Sequence, residues 1–480
     1  MRLDRLISEA GLAAPGLLLE SSGDLGTDVS SVTMDSRRVA PGCLFACVPG
    51  ARADGHVFAA GAVEDGAVAL LCERRLDVPV PQIVVTSVRR ALGAVCHVVY
   101  GRPSDDLLIA AVTGTNGKTT TCSFLRGIFD ANGWPATTIG TLTQNRTTPE
   151  APDLHAVLAD WRRNGGRAVA MEVSSHALHQ HRTDAVRFVA GVFTNLSREH
   201  LDYHWTMEAC FESKARLFEP GRVPVAVVNV ADPWGGRLAD RVRSAGDRLV
   251  PFSPDDAEEL ALSPSGSTFR WRGQQVSIRV GGAFNVVNAL AAATCAEAMG
   301  VPLDVIAAGL GRVESVPGRF QVVEAGQPFT VVVDYAHTPD GLTKVLQSAR
   351  QICEGRLVAV FGAGGDRDRE KRPLMGAIAA KLADLVLVTS DNPRSEDPDV
   401  IIGEVTAGAA GAANVRSEAD RAAAIATALA TASAGDVVVI AGKGHEKGQE
   451  VAGRVLPFDD VEVAERALRR IIDSRQGGGR

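Results

Sequence analysis

The chain has no apolar run approaching the ~20 residues that cross a bilayer, which argues against a membrane-embedded protein. It has no CxxC pair. Its eight cysteines, at 43, 47, 72, 96, 122, 210, 295 and 353, are scattered, and no Cys/His pair follows Cys43 and Cys47 at zinc spacing. Reduced, mostly buried thiols are the expectation. Positive charge is not in excess: 50 Lys and Arg face 57 Asp and Glu, a formal net charge of −7, which argues against a nucleic-acid binder. The opening MRLDRLISEAGLAAPG carries charges at residues 2, 4, 5 and 9, reads as a short amphipathic helix, and lacks the long apolar core of a secretion signal. No internal repeat stands out. These absences leave a soluble, cytoplasmic chain as the expectation.

Hydrophobic residues at 45% and charged residues at 22% describe a globular protein, and 480 residues exceed one ordinary core, so two to four domains are expected. Residues 1–105 alternate short apolar runs (LFACV, AVALLC, QIVV) with Gly, Pro and Asp turns, a small α/β pattern ending at the linker GRPSDD. In residues 106–317, runs such as LLIAAVTG, AVAMEV, VAGVFTNL and VPVAVVNV are each trailed by helical sequence. That alternation predicts a mostly parallel sheet covered on both faces. After a boundary near ESVPGRF, residues 318–480 repeat the pattern with FTVVVDYA, LVAVFGAGG, LVLVTS and DVVVIAGKG, a third open α/β domain. Ligands collect at the carboxyl ends of such strands, where the polar clusters of this chain lie.

AAVTGTNGKTTT sets Gly114, Thr115, Asn116, Gly117, Lys118, Thr119 and Thr120 between a strand and a helix. Glycines let backbone N–H groups turn toward phosphate oxygens, and the helix N-terminus adds its positive dipole end. Lys118 can neutralise β/γ-phosphates and the Thr119 hydroxyl can take Mg²⁺. The full P-loop spacing asks for a glycine where Val112 stands, so this is a shortened P-loop, and ATP or a relative is the expected ligand. MEVSSHAL and FTNLSREHLDYH follow further apolar runs. Glu172 is a reasonable Mg²⁺ ligand, whereas His200, less usual for magnesium, reads by itself as structural. His176, His179 and His181 lack the carboxylate or thiolate set of a zinc site. Lys214, in FESKARLF, reads by itself as a surface lysine.

VLVTSDNPRSEDP ends an apolar run in a rigid loop holding Asp391, Asn392, Pro393 and Arg394. Such a loop is either a plain turn or a grip for a small zwitterion, with guanidinium to carboxylate and carbonyl oxygens to ammonium.

Taken in order, Lys118 in GTNGKT, Glu172, His200, Asn288 in FNVVNALAA, Arg319 in VPGRF and Asp334 in VVVDYAHTPDGL resemble the Mur ligase superfamily of ATP-dependent amide-forming enzymes. The resemblance implies a three-domain α/β architecture: a small N-terminal domain, a central P-loop-type mostly parallel sheet and a C-terminal Rossmann-like domain. It implies that Thr119, Glu172, His200 and Lys214, the last as a carbamate, hold Mg²⁺. Asn288 would meet adenine, Arg319 and Asp334 would close over the nucleotide, and His337 would lie near the γ-phosphate.

Within the superfamily the likeness is closest to the ligases that add the third residue of the peptidoglycan stem peptide. Ser36 and His56 in MDSRRVAPGCLFACVPGARADGHVF, Thr147 and Thr148 in RTTPE, and Ser174, Gln180 and Arg182 match positions that contact the UDP-N-acetylmuramoyl dipeptide. DNPR with Arg367, Gly442 and Glu446 matches a pocket for meso-diaminopimelate, in which Arg394 pairs with the distal carboxylate and Glu446 with the distal ammonium. A monomer is expected. The sequence departs from the family pattern in having Glu199 for Asp, Trp205 for Gly, ACFES before Lys214, and Ala363 for Cys. The first three crowd the metal region, so a paralogue with another acceptor stays open. A noncatalytic nucleotide-sugar sensor is the alternative of a different class, and it would not need Lys118, Glu172, His200 and Lys214 together.

Overall fold

Successive residues of a strand point to opposite faces, so a strand apolar at every position must be covered on both sides. In the strand Leu108–Thr113, Ile109 and Ala111 pack into one apolar cluster while Ala110 and Val112 pack into another. Val358 and Val360 likewise separate from Ala359 and Phe361 in the strand Leu357–Phe361. Two sheets sandwiched between helices follow. The structure is a computed structural model describing residues 1–13, 16–50, 53–199 and 201–477, so His200 lies outside the described residues.

Three α/β units follow one another along the chain, as the sequence pattern predicts. The first has the strand order Leu18–Ser22, Gln82–Val85, Ala67–Cys72, Cys43–Ala46 and Ser31–Thr33, parallel except for the Leu18–Ser22 edge. The second is wholly parallel, in the order Arg248–Phe252, Val225–Asn229, Ala190–Phe193, Leu108–Thr113, Ala168–Glu172 and Ala136–Ile139. The third runs Gln321–Val322, Thr330–Asp334, Val437–Ala441, Leu357–Phe361, Leu385–Val388 and Val415–Ser417, with only its first strand antiparallel. In the second sheet, Leu108–Thr113 has Ala190–Phe193 on one side and Ala168–Glu172 on the other. A crevice therefore opens at its carboxyl end, where GTNGKT begins.

Among the described residues two antiparallel elements depart from the repeated strand–helix pattern, the hairpin Gly448–Pro457 and a small three-stranded sheet. Glu258–Ser263, Gly266–Trp271 and Gln274–Ile278 form the latter. Arg272 and Gly273 both adopt positive φ, 46° and 77°, which is what a two-residue hairpin turn with strand-matched twist requires. Phe269, Trp271, Val276 and Ile278 bury their side chains in the core shared with the helix Ala283–Ala298. Among the described residues no helix is long and apolar enough to cross a membrane.

Candidate active site

The turn after Leu108–Thr113 enters the helix Lys118–Ala131 through Gly117, whose φ is 89°. A Cβ there would sit 2.2 Å from Asn288 Oδ1, so glycine alone lets the loop pack this closely against the helix Ala283–Ala298. Lys118 Nζ curls back and donates to the carbonyl oxygens of Gly114 and Thr115 at 2.8 Å each. Thr119 donates its hydroxyl to Glu172 Oε2 at 3.0 Å, and the other Glu172 oxygen accepts the Thr141 N–H at 2.8 Å. Arg319 reaches in from the third unit: its Nη2 donates to Thr119 Oγ1 at 3.1 Å, and its guanidinium lies 4.5 Å above the Tyr335 ring. Asp334 accepts the N–H groups of Phe320 and Ala336 at 2.7 and 2.8 Å, and burial raises its carboxyl above the ordinary range.

These groups line one cavity. Thr115, Asn116, Gly117, Lys118, Thr119, Thr120, Glu172, Asn288, Arg319, Asp334 and His337 all face it, joined by Thr147 and Ser174. Gly114 lies just behind, its carbonyl taken by two lysines. The second is Lys214, which is not a surface lysine: it is buried and donates to Gly114 O at 2.9 Å. From the helix Met207–Ala215 its side chain reaches the phosphate loop, and burial, then the charge of Lys118, pushes the Lys214 ammonium down to about 8. His337 is held neutral by burial and by the nearby charge of Lys371, its pKa lowered to about 4. Its Nδ1 lies 2.9 Å from the Tyr335 carbonyl, which can only accept, so the proton is assigned to Nδ1.

A second cavity adjoins the first and shares Thr147, Ser174, Glu199, Tyr335 and His337 with it. Thr148, Arg182, Arg367, Asp391, Asn392, Arg394, Gly442 and Glu446 complete much of its wall. Gly442, at φ 117°, leaves room for Asp391, whose Oδ2 would lie 2.4 Å from an added Cβ. Asn392 Nδ2 donates to Glu446 Oε2 at 2.8 Å, while Arg394 Nη1 donates to Gly365 O at 2.7 Å. Pro393 stands behind the wall and its side chain does not enter the cavity lining.

A third cleft continues from the second through Arg146 and Arg182 and runs between the first two units. Ser36 and Gln180 line it, along with Arg37, Arg38, Arg89, Arg146 and Arg182. The lining carboxylates Asp35, Glu150 and Asp153 pair with these but are outnumbered, so the trough is basic on balance on a chain of net negative charge. Arg182 is braced by Thr148 O at 2.8 Å and by Gln180 Oε1 at 2.6 Å. His56 is placed differently. It is buried, its Nδ1 is 2.6 Å from Asp54, and its Nε2 accepts the Glu73 N–H at 2.9 Å, so both ring nitrogens are engaged away from the cleft.

The His176, His179 and His181 side chains diverge. His181 Nδ1 is 2.6 Å from Asp184, His179 Nδ1 is 2.8 Å from the Tyr203 hydroxyl, and His176 lies against the Tyr203 ring. Several residues with little signal in the sequence also shape the site. Lys443 is fully buried beneath the second cavity and donates to Asn392 Oδ1 at 3.1 Å and Gly448 O at 2.6 Å. Arg372, also fully buried, grips Glu396 and thereby the loop that follows Arg394. Thr141 carries the N–H that holds Glu172. Only Lys443 had a local signal, its place inside GKGHEKG.

The arrangement can seat a polyphosphate on the Lys118 loop, a second anion near Ser174 and His337, and a small zwitterion against Arg394 and Glu446. The family model of the Mur ligase middle domain matches residues 112–296, that of the Mur ligase glutamate ligase domain residues 318–444, and that of the Mur ligase family catalytic domain residues 28–100. A UDP-N-acetylmuramoyl-L-alanyl-D-glutamate--2,6-diaminopimelate ligase of Syntrophomonas wolfei subsp. wolfei is 43% identical, over 93% of this chain and 96% of that one. A solved structure of a ligase of the same name is 33% identical, with a TM-score of 0.70 over 99% of both chains. The MurF ligase of Thermotoga maritima in complex with ADP shares the fold at 19% identity, with a TM-score of 0.65 over 95% of this chain and 100% of that one. With all three units matched in order and such identity along nearly the whole length, the chain belongs to the Mur ligase family.

Proposed function

We propose that this chain is an ATP-dependent ligase that joins meso-diaminopimelate to UDP-N-acetylmuramoyl-L-alanyl-D-glutamate through an acyl phosphate, a step of peptidoglycan precursor synthesis. One observation carries the reading: the phosphate-loop cavity, the Arg394 cavity and the basic trough form one continuous cleft with shared walls. A reaction that links a nucleoside triphosphate, a nucleotide-sugar peptide and an amino acid needs such a cleft. The units, taken as residues 1–105, 106–317 and 318–480, supply one wall each, and the enzyme works as a cytoplasmic monomer.

The chemistry follows from the groups present. The dipeptide carboxylate, lying near Thr147, Ser174 and His337, attacks the γ-phosphorus, and ADP leaves. Lys118 and the loop N–H groups hold the phosphoryl oxygens as charge shifts. The α-amine of diaminopimelate then attacks the acyl carbon. The amine loses a proton, and inorganic phosphate leaves with the bonding pair. Arg319 and Asp334 bring the third unit over the nucleotide, and Asn288 lies where adenine ends.

Glu172 is buried, and among the described residues its side chain takes hydrogen bonds only from the Thr119 and Thr141 hydroxyls and the Thr141 N–H. A buried carboxylate with neutral partners, beside a hydroxyl, fits a hard cation that prefers oxygen. Mg²⁺ held by Thr119, Glu172, His200 and a Lys214 carbamate would neutralise charge on the transferring group. The lowered pKa of Lys214 supports carbamylation, since only the neutral amine attacks CO₂.

Ser36, Gln180 and Arg182 face the UDP-dipeptide, and His56 shapes that end through Asp54. Arg394 takes the distal carboxylate, which lysine lacks, so lysine would leave the guanidinium N–H groups not used by Gly365 and Glu450 without their carboxylate. The decisive experiment is phosphate release from ATP with the UDP-dipeptide and either meso-diaminopimelate or L-lysine. Release only with diaminopimelate is expected; release only with lysine would remove the pocket assignment, and release with neither would remove the ligase reading.

A further inference from the structure

The carboxylate of Asp340 is shared between two units. Asp340 is the second residue of the helix Pro339–Gln351, and its Oδ2 lies 2.8 Å from Lys344 one turn along. An acidic residue in the first turn paired with a lysine at i+4 is ordinary helix chemistry. The same oxygen does more. It accepts Asn116 Nδ2 at 2.7 Å and Ser197 Oγ at 3.0 Å, both from the second unit.

Neither donor is an incidental surface group. Asn116 lies inside the phosphate loop, with its N–H donated to Asn195 Oδ1 at 3.0 Å and its carbonyl accepting Thr194 Oγ1 at 2.7 Å. Its side-chain amide nitrogen is therefore engaged by Asp340 across the boundary between the units. Ser197 donates its own N–H to Thr115 Oγ1 at 3.1 Å, tying the same oxygen of Asp340 back to the loop by a second route.

We propose that Asp340 is a positioning residue that latches the third unit onto the phosphate loop and so keeps water from the acyl phosphate until the amine attacks. The inference rests on the ligase reading above. With the latch open, a water oxygen attacks the acyl phosphate, its new bond to phosphorus forming as the acyl–phosphate bond breaks. The products are the original carboxylate, inorganic phosphate and a proton, with ATP consumed and no amide made. Binding of the amino acid and of the nucleotide-sugar peptide is left nearly intact, because Asp340 lines neither the Arg394 cavity nor the basic trough.

The test is the ratio of phosphate released to amide formed by the full-length chain at saturating substrates. Asp340→Ala should raise that ratio from near unity to ~3 or more, as expected when a closure that excludes water is weakened. Asp340→Asn, whose amide oxygen still accepts from Asn116 and Ser197, should stay near unity, and Ser197→Ala should add little to Asp340→Ala. Thermal unfolding of each variant reports folding separately. A ratio that stays at unity in Asp340→Ala overturns the latch. So does an equal fall in phosphate release and amide formation. A wild-type chain that forms no amide overturns the ligase reading and the latch with it.

Discussion

The guanidinium of Arg394 donates to the carbonyl oxygen of Gly365 at 2.7 Å, a contact between residues on neighbouring strand-end loops of the third sheet. Its Nε lies 3.3 Å from Glu450, and its backbone N–H donates to Glu450 O at 2.9 Å, so the loop is pinned to the hairpin Gly448–Pro457. Arg394 holds a positive φ of 55°, kept there by these bonds. The guanidinium is thus oriented before any ligand arrives, leaving further N–H groups for a carboxylate. Arg394→Ala should raise KM for diaminopimelate by ~100-fold, about 3 kcal/mol for losing one side of a charged, hydrogen-bonded pair, while KM for ATP changes little. Steady-state phosphate release with each substrate varied in turn checks this; equal rises in both KM values would count against it.

Lys214 is poised for a different chemistry. Burial brings its ammonium down to about 8, so the neutral amine is plentiful above that pH and scarce well below it. Carbamate formation from CO₂ should therefore grow as pH rises from 6 toward 8, and activity should fall in carbonate-depleted buffer and return on adding bicarbonate. Lys214→Ala should lose ~10²-fold or more in kcat, of the order seen when one charge-stabilising group is removed. A ¹³C resonance from labelled CO₂ bound to wild type but not to Lys214→Ala would identify the group directly.

Trp205 stands at φ 65° with 83% of its surface exposed. That backbone region costs an L-residue with a Cβ about 1 kcal/mol, and so exposed a side chain recovers little of it by packing. A glycine, which the family resemblance leads one to expect here, would carry no such strain. Trp205→Gly should stabilise the chain by ~0.5–1 kcal/mol, a rise of ~2 °C in Tm. A lower Tm would show that the indole makes a contact worth more than the strain.

His155, on the helix Ala151–Arg163, meets His97 of the helix Val88–Val99 at a ring separation of 5.5 Å where the first two units join. His155 is fully buried, and neither of its ring nitrogens has a hydrogen-bond partner among the described residues. Burial, and then His97, lowers its pKa to about 3. The unfolded chain therefore binds the proton first as pH falls. Stability present above the ordinary value of 6.5 is lost progressively toward 3, by up to ~5 kcal/mol. Beside it, His97 is also lowered by burial while Asp105, 3.4 Å away, opposes that shift. His155→Leu should flatten the fall of Tm between pH 6.5 and 4, leaving Tm at pH 7.5 within a few degrees of wild type. An unchanged acid limb would place the sensitivity elsewhere.

Much of this molecule was written locally in its sequence. The phosphate loop is a strand, a glycine turn and a helix in direct succession, so Gly117, Lys118 and Thr119 could be placed from spacing alone. The two-faced apolar strands announced parallel sheets, because every residue of such a strand needs a covering partner. The hairpin at 266–278 had its own local code, an alternation of Phe269, Trp271, Val276 and Ile278 about Arg272–Gly273, but it was masked by the strand–helix rhythm around it. Tertiary structure alone decided the rest. Lys214 looks like a surface residue until its buried side chain meets Gly114; His56 looks like a ligand until Asp54 and the Glu73 N–H occupy its ring. Lys443 and Arg372 gain their roles only when strand-end loops are stacked above them. Asn116 and Asp340 lie 224 positions apart, and nothing near either in the chain tells that one carboxylate oxygen joins them. Local dihedral preferences and side-chain alternation are properties of neighbours in sequence, whereas burial and long-range hydrogen bonds exist only once distant segments share the same space.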